Sequence, residues 1–154
     1  MIKIFKTLFI VLVITNIQPS NAKELTESSV KEFIEIFDNA VESKDLIKIA
    51  DLMVDDVNII TNVTFLGQTE VINSSKTEYI SLLKESWKLT TDYSFTRNEF
   101  DIVFENDTAT ISGTITESMS LLGEPVSVQS EGEAKIRIVN EKLQFVEIIS
   151  HTSM

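Results

Sequence analysis

The sequence predicts an α+β fold in which three N-terminal helices pack on a curved antiparallel β-sheet. Three observations carry this reading. Apolar residues recur at helical spacing in the N-terminal half. From Tyr93 to His151 they alternate instead with polar ones. Across three turns, the alternating segments agree on which face is buried.

The clearest alternation runs from Thr108 to Leu121. Every even position is a hydroxyl residue: Thr108, Thr110, Ser112, Thr114, Thr116, Ser118 and Ser120. The odd positions are Ala109, Ile111, Gly113, Ile115, Glu117, Met119 and Leu121. A period of two gives one buried face and one wet face. Glu117 is the exception, a carboxylate on the apolar face. A turn at Asn106-Asp107 sets Phe104 opposite Ala109 and Ile102 opposite Ile111. A turn over Leu122-Gly123-Glu124-Pro125 sets Leu121 opposite Val126, hence Glu117 opposite Ser130. A turn at Asn140-Glu141 sets Ile138 opposite Leu143 and Ile136 opposite Phe145. Extended further, this register groups Phe100, Gly113, Ala134 and Glu147, then Glu117, Ser130 and His151. Near Arg97 the apolar parity flips from Tyr93 and Phe95 to Phe100 and Ile102, which predicts a bulge.

The helices are read from spacing and caps. Ser29 to Glu32 forms a capping box ahead of an apolar stripe of Val30, Phe33, Ile34, Phe37, Ala40 and Val41. Asp45 caps a shorter helix with Leu46, Ile49, Ala50 and Met53 on one side, ended by Asp55-Asp56. Val57 to Thr61 reads as a strand, and Phe65 to Ile72 as a short strand or arm. Ser75 and Glu78 form a second capping box, opening a helix with Tyr79, Leu82, Leu83 and Trp87.

Composition narrows the function. The 154 residues suffice for one domain with a core. A formal charge of -11, with no Lys/Arg cluster, argues against a nucleic-acid partner. The absence of cysteine excludes disulfides and thiolate chemistry. Lys3 and Lys6, the apolar run Thr7 to Ile17, Pro19 and the small residues of Ser20-Asn21-Ala22 read as a signal peptide over residues 1–22. The expected product is a single domain over residues 23–154, secreted or periplasmic, with no membrane association after cleavage.

The order of helix, short helix, strand, arm, helix and long bent meander resembles the nuclear transport factor 2-like superfamily, a cystatin-like α+β cone. The segments that carry the likeness are "ESKDLIKIADLMVDDVNII", "SSKTEYISLLKESW" and the closing "LQFVEIISHTS". The resemblance spans roughly Val30 to Ser153. It implies a cone with an internal cavity. The superfamily includes ketosteroid isomerases, SnoaL-like polyketide cyclases, dehydratases and non-catalytic binding or dimerisation domains. At the positions aligned with the isomerase groups this chain has Phe37, Thr61 and Ala134. None of the three can transfer a proton, so isomerase chemistry is not expected.

The sharpest candidate pair is His151 with Glu117, a carboxylate beside the chain's single imidazole, which suits a general base. Phe37, Tyr79, Trp87, Phe100, Ser130, Ala134 and Glu147 are expected to line the cavity. A metal site from His151, Glu117 and Glu147 has only generic spacing, and neither a metal nor another cofactor is expected. The favoured function is a secreted, non-catalytic domain whose cavity binds a small apolar or amphipathic molecule. One alternative is a small lyase, isomerase or hydrolase using His151 with Glu117. Another is a dimerisation or interaction module, with a homodimer as partner, meeting through Thr110, Ser112, Thr114 and Thr116.

Overall fold

The computed structural model describes residues 24–153. The signal segment and its cleavage position lie outside the described residues. The elements are α1 (Glu27–Glu42), α2 (Leu46–Asp51), β1 (Met53–Phe65), β2 (Gln68–Ser74), α3 (Lys76–Lys88), β3 (Thr90–Glu105), β4 (Thr108–Leu121), β5 (Glu124–Val139) and β6 (Lys142–Ser153). Three helices therefore form. Two precede the sheet, and the third lies between β2 and β3.

The helix starts follow side-chain caps. Ser75 and Glu78 make the expected reciprocal box on α3, and Asp45 caps α2 through the Lys48 amide. The α1 box is one turn earlier than expected, made by Thr26 with Ser29 rather than Ser29 with Glu32. A hydroxyl at the third helical position serves there as well as a carboxylate, because it reaches the same cap amide. The second helix stops at Asp51, and Met53 already belongs to β1. Two backbone carbonyls explain this: those of Asp51 and Met53 both accept from the Gln144 amide on β6.

The six strands form one sheet in the order β2-β1-β6-β5-β4-β3. It is not wholly antiparallel as expected, since β1 runs parallel to β6. The intervening α3 and meander supply the long crossover that a parallel pair requires. The β3–β4 turn keeps the expected register, with Phe104 opposite Ala109 and Ile102 opposite Ile111. The expected bulge is present between Arg97 and Phe100. The β4–β5 register is shifted by two. The turn is the two-residue Leu122-Gly123, both at positive φ (53° and 90°), so Leu121 faces Glu124 and Glu117 faces Val128. Pro125 thereby enters the strand. It stands next to the closing pair of the hairpin, where its missing N–H points away from β4, and the β6 ladder begins only at Ser130. A shift of two leaves every side chain on its expected face.

Strand β6 departs further. Ile136 faces Phe145 as expected, but Lys135 faces Glu147, leaving Val146 as an extra residue. This bulge reverses the parity of the rest of the strand. Ile148, Ser150 and Thr152 turn inward, while Glu147 and His151 turn outward.

The core is built where α1 crosses the sheet. Val30, Phe33, Ile34, Ile49, Met53, Ile59, Ala109, Ile136 and Phe145 are all buried. The Phe145 ring meets Phe33 edge-on at 4.9 Å and Phe37 at 5.0 Å. Each such pair contributes about 0.5–1.5 kcal/mol beyond area burial.

The β3 bulge is packed tightly against β4. A Cβ on Gly113 would sit 2.8 Å from the Phe100 Cβ and 3.0 Å from the Glu99 carbonyl oxygen. Gly113→Ala is expected to cost about 1–3 kcal/mol through overpacking. At Gly132 the nearest atom to an added Cβ is the Ile149 oxygen at 3.6 Å, so Gly132→Ala should cost less. Urea unfolding of the two variants measures the difference, and equal midpoints would contradict this packing.

Candidate functional site

Beyond the solid end of the core, the sheet's inner face carries small and polar residues in successive rows. Gly113, Gly132, Ser150 and Thr61 come first, then Ile115, Ser130 and Thr152. Little side-chain volume fills this region, and the helices α1 and α3 roof it. The result is a partly open cavity of about 260 Å³. Its wall is mainly apolar and aromatic, with Phe37, Tyr79, Tyr93, Phe95 and Phe100 contributing rings.

Three sets of polar groups on the wall are joined by short hydrogen bonds. In the first, the Tyr93 hydroxyl donates to Glu117 Oε1 at 2.5 Å. This is the shortest distance in the site, at the low limit for a hydroxyl–carboxylate bond. In the second, Arg97 sits at the β3 bulge and is paired with Asp38 of α1. Its Nε donates to both carboxylate oxygens at 3.1 and 2.9 Å, and Nη2 donates to Oδ1 at 2.7 Å. Both side chains are largely buried, so the pair balances charge within the wall. The Arg97 guanidinium also lies 5.8 and 5.9 Å from the ring centroids of Phe95 and Phe100. In the third, the Ser130 and Thr152 hydroxyls share a hydrogen bond at 2.7 Å.

The tyrosines are shifted in one direction. Burial, and then the charge of Glu117, push the Tyr79 phenol up to about 12. Burial pushes Tyr93 higher still, reinforced by its hydrogen bond to Glu117. Both therefore remain neutral phenols across the physiological range, able to donate a proton in a hydrogen bond.

Phe37, Tyr79, Phe100, Ser130 and Ala134 line the cavity. So do Phe37, Thr61 and Ala134 considered as a group, the three positions aligned with isomerase groups. Trp87 does not line it. Its ring packs edge-on against Tyr93 at 6.0 Å, behind the wall. Glu147 lies on the outer face, in an ion pair with Lys135 at 2.7 Å and accepting from Asn58 at 3.0 Å. Those two partners hold its carboxyl below the usual range. His151 is exposed on that face opposite Glu131. The pairing of Glu117 with His151 is thus absent, because the Val146 bulge carries the imidazole to the other side of the sheet. The three suggested metal ligands are separated for the same reason, and no metal-competent cluster occurs among the described residues. Tyr93 and the Asp38–Arg97 pair were missed as site residues. Tyr93 was legible: the bulge at Arg97, carried through the β3–β4 register, sets Phe95 opposite Glu117 and Tyr93 on the same face.

No protein-family model matches the chain, and no curated protein does. Solved structures do. A nuclear transport factor 2-like protein from Cytophaga hutchinsonii superimposes with a TM-score of 0.65 at 12% identity, over 84% of this chain and 99% of its own. The chain has the nuclear transport factor 2-like fold. Two further structures with this fold carry activities in their names. One is a hexachlorocyclohexane dehydrochlorinase, LinA-type3, from Novosphingobium barchaimii (TM-score 0.65, 11% identity, 81% of this chain and 84% of that one). The other is provisionally assigned as a scytalone dehydratase, from Novosphingobium aromaticivorans (TM-score 0.64, 12% identity, 82% and 83%). At these identities the likeness is one of fold, and function has to be read from the cavity residues themselves.

The tyrosine shifts predict an alkaline instability. Below pH about 10 the folded and unfolded chains both hold the phenolic protons, and the contribution to stability is complete. Between there and about 12 only the folded chain holds that of Tyr79, so stability falls as pH rises. Urea midpoints measured from pH about 9 to 11 should decline. Tyr79→Phe or Tyr93→Phe should flatten the decline. An undiminished slope in both variants would show that other groups cause it.

Proposed function

We propose that this chain is a secreted, non-catalytic binding domain that holds one small amphipathic molecule in the cavity between α1, α3 and the sheet. The observation that carries this reading is the cavity itself, about 260 Å³ with mainly aromatic and aliphatic walls and a few converging polar groups. Pockets for drug-sized ligands measure about 300–1,000 Å³, so the occupant of this one is small. Its apolar body would lie among Phe37, Phe100, Ile111 and Ala134, and its polar end would meet Glu117 and the neighbouring phenols. Secretion rests on the n-region, apolar run and small-residue motif of residues 1–22.

A second reading is favoured by one contact, the short bond between Tyr93 and Glu117. A carboxylate with a neutral phenol beside it can remove a proton and stabilise the charge that results. Eliminations of the kind named for the dehydrochlorinase and the dehydratase need such a base. The binding reading ranks first because Glu117 lacks an imidazole partner and the isomerase positions hold Phe37, Thr61 and Ala134.

Native mass spectrometry of the protein purified from its own host tests the binding reading. A bound small molecule is expected at a stoichiometry of one. Ala134→Met places a larger side chain in the cavity wall and should remove that species while the chain stays folded. An empty wild-type chain, or a ligand that persists in Ala134→Met, would overturn the assignment.

A further inference from the structure

The charges of the cavity wall do not cancel. Arg97 is neutralised by the two-point contact with Asp38. Glu133 lies on the exposed outer face of β5, so its carboxylate is outside. Glu117 remains, and among the described residues it takes part in no ion pair. Its one hydrogen-bond partner there is the neutral hydroxyl of Tyr93, on Oε1, and Oε2 has none. A second cation, Lys44, reaches this end of the cavity from the turn between α1 and α2. Its Nζ lies 5.2 Å from the Tyr93 ring centroid and makes no ion pair with Glu117.

A half-buried carboxylate left with one neutral partner is short of the positive charge that would compensate its desolvation. The walls around it are aromatic. Ring faces attract cations, and the effect strengthens as water is excluded. Lys44 above Tyr93 and Arg97 beside Phe95 and Phe100 show that this ring set already attracts cations. The cavity therefore combines an uncompensated carboxylate, aromatic walls and an apolar floor. Resting on the binding reading above, we propose that the ligand class is a small primary organic amine in its protonated form. Its ammonium group donates to Glu117 Oε2, and its hydrocarbon body packs toward Phe100, Ile111 and Ala134.

The chain contains a single tryptophan, Trp87, in edge contact with Tyr93, so its fluorescence reports on this end of the cavity. Three probes of similar size and different charge are titrated: cyclohexylammonium, cyclohexanol and cyclohexanecarboxylate. The ammonium should bind at least about tenfold more tightly than the alcohol, as charge-assisted hydrogen bonds exceed neutral ones by that order. The carboxylate should bind most weakly. Glu117→Gln should abolish the preference for ammonium over alcohol. The ranking on the unmutated chain stands by itself, whether or not that variant folds. Alcohol or carboxylate binding as tightly as ammonium would overturn the amine inference while the binding reading survives. If no probe binds at all, the binding reading falls with it.

Discussion

The bulges at Arg97–Phe100 in β3 and at Val146 in β6 are the constraint on which the rest of the structure depends. A bulge bends its strand and reverses the parity beyond it. On β3 the bulge between Arg97 and Phe100 lets Ile102 face the core while Tyr93, Phe95, Arg97 and Phe100 all face the cavity. On β6 the bulge at Val146 lets Phe145 anchor the core while Ser150 and Thr152 line the open end. Without the second bulge, regular alternation would put Glu147 and His151 on the inner face and Ile148 on the outer one.

The two ends of the sheet then divide the work. At one end Phe33, Phe37 and Phe145 pack ring against ring, and burial of large side chains supplies stability at about 1.5–3 kcal/mol for each. At the other end Gly113, Gly132 and Ser130 leave space. Space alone would fill by collapse. The Asp38–Arg97 pair ties α1 to the β3 bulge, and the capped helix α3 supplies Tyr79 and Leu83 to the opposite wall. The cavity is thus held open by polar contacts at its rim and by a rigid aromatic core beneath it.

Much of the fold was legible because local signals agreed. Ser75 with Glu78, Asp45, and the Asn106-Asp107 and Asn140-Glu141 turns each fixed an element through nearest-neighbour chemistry. The β3 bulge was legible because apolar parity visibly flips at Arg97. The β6 bulge left no such trace: Val146, Ile148 and Ile149 are apolar on both parities, so a slip of one residue costs nothing in the pattern. The Leu122-Gly123 turn was obscured by Pro125, which is a usual turn residue but here occupies a strand position that needs no amide donor.

The sequence by itself determined the α+β class, the two strong caps, the faces of the meander and the anomaly of Glu117. These are properties of short segments, where periodicity and hydrogen-bonding side chains act over a few residues. Only the tertiary structure decided what Glu117 meets. Its partner is Tyr93 across one strand, and not His151 across two, because register errors accumulate with each strand crossed. The parallel β1–β6 pairing, the Asp38–Arg97 bridge and the uncompensated charge of the cavity are likewise tertiary. Each joins residues far apart in the chain, and no local spacing encodes how such segments meet.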